Sequence, residues 1–83
     1  MYEVEFLPSA VRALAKLDHA VQRRIARRID RLAVDPRSGA VKLRGADDVW
    51  RVRVGDYRVL YSIEDKRLVI LVIKIGHRRD VYR

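Results

Sequence analysis

The sequence predicts an α+β fold: a mostly antiparallel four-stranded sheet in the order β-α-α-β-β-β, with two N-terminal helices packed on one face. Three observations support this prediction. Two early segments repeat apolar residues at helical spacing. Two later segments alternate around a Gly-Asp pair, and an almost wholly apolar, β-branched run follows them.

The first strand and the first helix lie at the N-terminus. Residues 2–6 alternate in polarity, which is typical of a half-buried strand. Pro8 and Ser9 then begin a short helix that ends near Leu17, because proline is tolerated in a first turn and serine can cap its amides.

The second helix follows Asp18, a good N-cap residue, and ends before Pro36. Its apolar stripe consists of Val21, Ile25, Ile29 and Leu32. Its other face carries Arg23, Arg24, Arg27, Arg28 and Arg31. Two interpretations of this arginine face stay open: a solvated surface, or a docking patch for nucleic acid or an acidic partner. No aromatic residue is interleaved there, so base stacking is not expected.

Three strands are predicted in the second half of the chain. Residues 37–48 form a polar connection, Gly55 and Asp56 form a two-residue hairpin turn, and residues 68–75 form a central strand buried on both faces. The hairpin register gives one face with Trp50, Val52, Val54, Tyr57, Val59 and Tyr61, and an opposite face with Arg51, Arg53, Arg58, Leu60 and Ser62. A slip of one residue would bury arginines, so this register is favoured. We expect the helices to cover the apolar face and the arginine face to stay open.

Charge and composition restrict the function. The net charge is +8 and the isoelectric point is near 10.6, an electrostatic signature of nucleic-acid binding that acidic proteins and anionic membranes can share. There is no cysteine, and two histidines with scattered carboxylates make no convincing metal site. No apolar run reaches membrane-spanning length, and the first residues do not resemble a signal peptide. We therefore expect a cytoplasmic protein without metal or cofactor.

The arginine face is costly unless an anion binds it. Arg53 and Arg58 are predicted to lie directly opposite each other, and like charges in such pairs destabilise by up to about 1 kcal/mol. After the last strand, which ends with Lys74, Gly76 breaks the pattern and His77 and Arg78 follow. The tail could return to the rim of this face. The most obvious polyanion to bind there is nucleic acid.

These side chains suit RNA cleavage without metal. The 2′-hydroxyl of RNA can attack the adjacent phosphate, and fixed arginines stabilise the charge of the transition state. Arginine is a poor general base because its guanidinium group holds its proton very strongly, so Tyr82 or His77 is the candidate base or acid. Tyr82 could instead stack on a base or only pack on the sheet, and His77 could simply be exposed. The candidate RNA-binding residues are Lys42, Arg44, Lys74 and Arg79.

The chain resembles the RelE/ParE toxin superfamily. The resemblance rests on Lys42-Leu43-Arg44-Gly45, Trp50-Arg51-Val52-Arg53-Val54-Gly55-Asp56-Tyr57-Arg58-Val59-Leu60-Tyr61 and Gly76-His77-Arg78-Arg79-Asp80-Val81-Tyr82-Arg83. It covers nearly the whole chain, is most like the RelE branch, and implies a single toxin domain over residues 1–83. It further implies a type II toxin–antitoxin toxin that cuts mRNA in the ribosomal A site. A small, acidic, RelB-like antitoxin would block it, and DNA contact would be indirect, through the antitoxin complex.

The resemblance also implies residue roles. Arg51 and Arg53 match basic positions, usually lysines, that serve in proton transfer and phosphate binding. Arg58 matches a residue at the scissile phosphate, Arg78 a transition-state arginine, and Tyr82 a residue that stacks on or activates the nucleotide. Arginine in place of lysine weakens a general-base role for the first two positions. Catalysis then depends on Tyr82 or His77, or mostly on electrostatics and on geometry supplied by the ribosome.

Three other functions are compatible with this sequence. A ParE-like toxin would inhibit DNA gyrase without catalysis, and its arginines would only bind. A degenerate toxin would act mainly in autorepression with its antitoxin. A plain basic RNA-binding module is disfavoured because no exposed aromatic platform is expected.

Overall fold

A computed structural model shows two helices and one five-stranded mixed sheet, and it describes residues 1–45 and 48–79. The elements are β1 (Glu3–Phe6), α1 (Pro8–Ala15), α2 (His19–Val34), β2 (Val41–Lys42), β3 (Val49–Val54), β4 (Tyr57–Glu64) and β5 (Val69–His77). The strands lie in the order β1-β5-β4-β3-β2. The predicted α+β class is confirmed. None of the described helices is long and apolar enough to cross a membrane.

The sheet differs from the predicted four strands by one short edge strand. β2 lies inside the segment that was expected to be only a connection, and it pairs with β3 through Val41 with Arg51 and Lys42 with Trp50. Two residues are too few to show an alternating pattern, so the sequence gives no signal for this strand. β1 pairs with β5 in parallel, which makes the sheet mixed, although its other pairings are antiparallel.

The β3–β4 hairpin has the predicted register. Val54 pairs with Tyr57 and Arg53 with Arg58, and the remaining pairs follow in step. Gly55 has φ +60°, while Asp56 is not among the residues with positive φ. Positive φ at the first central position alone is the pattern of a type II′ turn, whose twist suits a hairpin.

The helices are fixed at their ends and to each other. The Asp18 carboxylate accepts a hydrogen bond from the Val21 amide at 3.0 Å, so the predicted N-cap of α2 is confirmed. The predicted cap of α1 is wrong, because Leu7 holds the N-cap position without a side-chain hydrogen bond. Gln22 of α2 donates to the Leu14 carbonyl at 2.9 Å and thereby ties the two helices together.

The core lies between the helices and one face of the sheet. It comprises Ala10, Ile25, Ile29, Leu32, Val52, Val54, Val59, Tyr61, Ile70, Val72 and Ile75. The expectation that β5 is buried on both faces is wrong in part, since Leu71 and Ile73 are only half-buried and Lys74 is exposed. The face of the sheet that does not meet the helices is therefore partly accessible to ligands.

Candidate active site

The arginines of the hairpin lie on the sheet face opposite the helices. Strand alternation places Arg51, Arg53 and Arg58 away from the buried Val52 and Val59. Arg53 is directly opposite Arg58, so their Cβ atoms are about 5 Å apart.

Two rows of side chains cross this face. Arg58 of β4 lies between Arg53 of β3 and Gly76 of β5. One step along the sheet, Leu60 of β4 lies between Arg51 and Lys74. Gly76 has no side chain, so the first row presents the two guanidinium groups of Arg53 and Arg58. The structure therefore brings together three of the predicted catalytic arginines and one predicted RNA-binding lysine.

The expectation of a uniformly open arginine face is wrong. Only 7% of Arg58 is exposed, Arg51 is half-buried, and Arg53 is exposed. Arg58 is buried because β4 has a neighbouring strand on both sides. Arg53 is exposed because, among the described residues, β2 pairs with β3 only as far as Arg51. Arg58 is thus a fixed, largely desolvated charge, and Arg53 is its accessible neighbour.

His77 is not on the arginine face. It lies opposite Tyr57 at the end of β5, and the two rings pack edge to face with centroids 5.7 Å apart at 81°. Tyr57 precedes Arg58 in the strand and packs against the core, so alternation places both rings on the helix side. The expectation that His77 faces the arginines as acid or base is therefore wrong for this arrangement.

The start of the tail is held by the hairpin turn. The amide of Arg78 donates to the Asp56 carbonyl at 2.8 Å, and the amide of Arg79 donates to Nδ1 of His77 at 3.3 Å. Both arginines are exposed. These two bonds place the predicted transition-state arginine beside the turn that connects Arg53 to Arg58. Asp56 and Tyr57 thus organise the site, a role that motif reasoning did not give them.

Tyr82 lies outside the described residues, and its predicted role stays a prediction. The candidates Lys42 and Arg44 lie in and just after the edge strand β2, which pairs with β3. Lys42 of β2 has its Nζ 3.8 Å from Oδ1 of Asp48, which offsets part of its charge. Arg44 is exposed in the turn that follows. Within residues 1–45 and 48–79, no group of histidine, cysteine, aspartate or glutamate side chains could hold a metal ion.

The fold and its arginine-bearing sheet define a class of small toxins. A family model described as the ParE toxin of the type II toxin–antitoxin system parDE matches residues 4–82, and the chain belongs to this family. The resemblance predicted from the sequence is confirmed.

Individual relatives narrow this class to a RelE-like toxin of a type II toxin–antitoxin system. The chain is 29% identical to the mRNA interferase toxin RelE of Escherichia coli K12, over 98% of this chain and 90% of that protein. Among solved structures, it is similar to a chain of the archaeal RelE–RelB complex of Pyrococcus horikoshii OT3, with TM-score 0.81, 35% identity, and coverage of 96% of this chain and 98% of that one. It is also similar to a chain of the intact E. coli RelBE complex, with TM-score 0.83, 26% identity, and coverage of 93% and 96%.

Proposed function

We propose that this toxin is a ribosome-dependent endoribonuclease that cuts mRNA in the A site, without metal, by attack of a 2′-hydroxyl on the adjacent phosphate. The observation that carries the proposal is the largely buried Arg58, held opposite the exposed Arg53. The similarity to a protein named mRNA interferase toxin RelE supports it.

The arrangement suits the charge changes of phosphodiester cleavage. The pentacoordinate transition state concentrates negative charge on phosphate oxygens, and preorganised cations aimed there stabilise it more than the ground state. Arg58 is fixed in a central strand and shielded from water, so its attraction for an approaching phosphate is less screened than that of a surface charge. Its planar guanidinium can contact two phosphate oxygens at once.

Proton transfer needs a further group. Arginine is a poor general base, and His77 packs on Tyr57 on the other side of the sheet. Tyr82 therefore remains our candidate for general base or for the residue that stacks on the nucleotide. The described residues of this face supply charge but few groups that could orient a flexible RNA strand. We therefore propose that the ribosome orients the strand for cleavage.

We further propose a RelB-type antitoxin as the inhibitory partner. Chains of similar fold from P. horikoshii and E. coli were solved as complexes with RelB. A small acidic protein complements the net charge of +8 and could cover the arginine face.

The test is cleavage of mRNA on translating ribosomes by wild type, by Arg58→Gln, and by the double variant Arg58→Ala plus Arg78→Ala. Removing one such stabilising group should lower the cleavage rate by about 10²–10³-fold. The matched control is Arg12→Gln, which removes one exposed charge from α1 and should cleave like wild type. Circular dichroism confirms that each variant is folded. Equal cleavage by wild type and the double variant would defeat the assigned site.

The alternative is a ParE-like toxin that inhibits DNA gyrase without catalysis. The observation that favours it is the match of the ParE family model to residues 4–82. Inhibition of DNA supercoiling by the purified chain, with mRNA left intact on ribosomes, would select this alternative.

A further inference from the structure

A second cationic site lies on the helix side of the hairpin. A cleft of about 600 Å³ separates α2 from the end of β3. Five arginines and one aspartate contribute the charged part of its lining: Arg24, Arg27, Arg28, Arg31, Arg53 and Asp30. Val54 and Gly55 complete it. Arg51 and Arg58 do not line it, so among the described residues Arg53 is the one that it shares with the proposed active site.

The arginines of this cleft form no ion pair within the described residues, and Asp30 is the one acidic residue among the described lining. The ion pairs found in residues 1–45 and 48–79 use Arg37, Lys42 and Arg67, none of which lines the cleft. Like charges held this close repel one another. A binding site for an anion gives a physical reason for placing them together.

Two of the guanidinium groups are positioned by the backbone around them. Arg28 donates a hydrogen bond to the carbonyl of Ser38. Arg24 lies against the hairpin turn, with Nη2 3.2 Å from the place where a Cβ on Gly55 would be. Glycine at this position therefore permits the positive φ of the turn and also leaves room for the guanidinium. Such positioning lowers the entropy that the side chains lose when an anion binds.

The helical arginines have the spacing of an extended ligand. Arg24, Arg27, Arg28 and Arg31 follow the i, i+3, i+4, i+7 pattern, so they form one stripe along α2. The stripe is about 10 Å long at 1.5 Å per residue. A ligand that carries several phosphates in a row can therefore contact more than one of these guanidinium groups.

We propose that this cleft is a second RNA site, which binds the phosphate backbone of a structured RNA other than the strand being cut. Guanidinium groups are the preferred partners of phosphate, and the described part of the lining contains no aromatic residue, which favours backbone contact over base stacking. An acidic protein segment fits less well, because protein interfaces depend on buried apolar or aromatic anchors and the cleft offers only Val54. The inference deepens the proposed function, because a second RNA contact would hold the toxin on an RNA-containing partner.

The test is binding of a fluorescent RNA hairpin whose 2′-positions are methylated, which prevents cleavage. The cleft variant carries Arg24→Gln, Arg27→Gln and Arg31→Gln, all exposed positions where glutamine preserves helix propensity. The matched control carries Arg12→Gln, Lys16→Gln and Lys66→Gln, which remove the same charge from exposed positions outside the cleft. We expect the cleft variant to bind at least tenfold more weakly, with a salt slope reduced by about 2 to 3, and the control to change less than threefold.

Equal weakening of RNA binding by both triple variants would show that the RNA is attracted by the net charge of the protein, and it would overturn the proposal. Unchanged RNA binding by the cleft variant would also overturn it. Arg58→Gln separates this inference from the proposed function. If Arg58→Gln loses ribosomal cleavage while the cleft variant binds RNA normally, the cleft proposal alone fails. If Arg58→Gln cleaves like wild type while the cleft variant loses RNA binding, the catalytic assignment alone fails.

Discussion

The Tyr61 hydroxyl should make the stability of this fold depend on pH in the alkaline range. Tyr61 is fully buried in the core, and its hydroxyl donates to the Pro36 carbonyl at 2.6 Å. Burial is the main cause that raises its pKa to about 12, from about 10 in the unfolded chain. A raised folded pKa means that the native state favours the neutral phenol. The stabilisation is therefore complete below pH 10 and is lost as pH rises towards 12.

The magnitude follows from the two pKa values. Each tenfold difference in proton affinity is worth 1.36 kcal/mol, so the whole loss is about 3 kcal/mol, and about half of it occurs by pH 11. Tyr61→Phe removes the titrating group and leaves the Pro36 carbonyl without this donor. That change should cost about 1–3 kcal/mol at neutral pH. The stability of the variant should then fall less steeply than that of wild type above pH 10.

The assay is urea unfolding of wild type and Tyr61→Phe at pH 8, 10, 11 and 12, compared as differences so that lysine titration cancels. The control is Tyr2→Phe, which removes the hydroxyl of a half-buried tyrosine whose pKa is raised mainly by its hydrogen bond to Asp65. It should show the same sign of pH dependence with a smaller effect. A stability difference between wild type and Tyr61→Phe that stays constant from pH 8 to 12 would refute the reasoning.

Two other substitutions test the hairpin and the helix. Arg53→Gln removes a charge directly opposite Arg58 and should raise the free energy of unfolding by about 0.2–1 kcal/mol at low salt, with a smaller gain at 1 M salt; a loss of stability on urea unfolding would contradict the proposed repulsion. Asp18→Ala removes the carboxylate that accepts the Val21 amide and should cost about 1 kcal/mol, seen as a lower urea midpoint with an unchanged slope. An unchanged midpoint would mean that water satisfies this helix end equally well.

The hairpin was predictable residue by residue because two local signals agree. Gly55 marks a two-residue turn, and strict alternation on both sides permits one register without burying arginine. The cap at Asp18 was predictable for a similar reason, since it depends on a bond within four residues. The parallel pairing of β1 with β5 joins segments more than sixty residues apart, and no local pattern marks it.

The misplacement of His77 has a specific cause. A register shift between Leu60 and Tyr61 pairs them with Lys74 and Val72, so Ile73 is an extra residue in β5. A bulge of one residue reverses the side of every later residue in its strand. Without it, His77 would lie on the arginine face. Residues 69–73 are all apolar, so no alternation of polarity before Lys74 reveals the bulge.

The shortness of β2 links the two cationic sites. Among the described residues, β2 pairs with β3 only through Trp50 and Arg51, which leaves Arg53 on an open sheet edge. That edge borders both the arginine face and the cleft under α2. Open edges invite pairing with other chains, and charged side chains are a common defence. The charge of Arg53 therefore opposes pairing of this edge with other chains even when no RNA is bound. This explains why the fold can retain an arginine that repels its cross-strand neighbour Arg58.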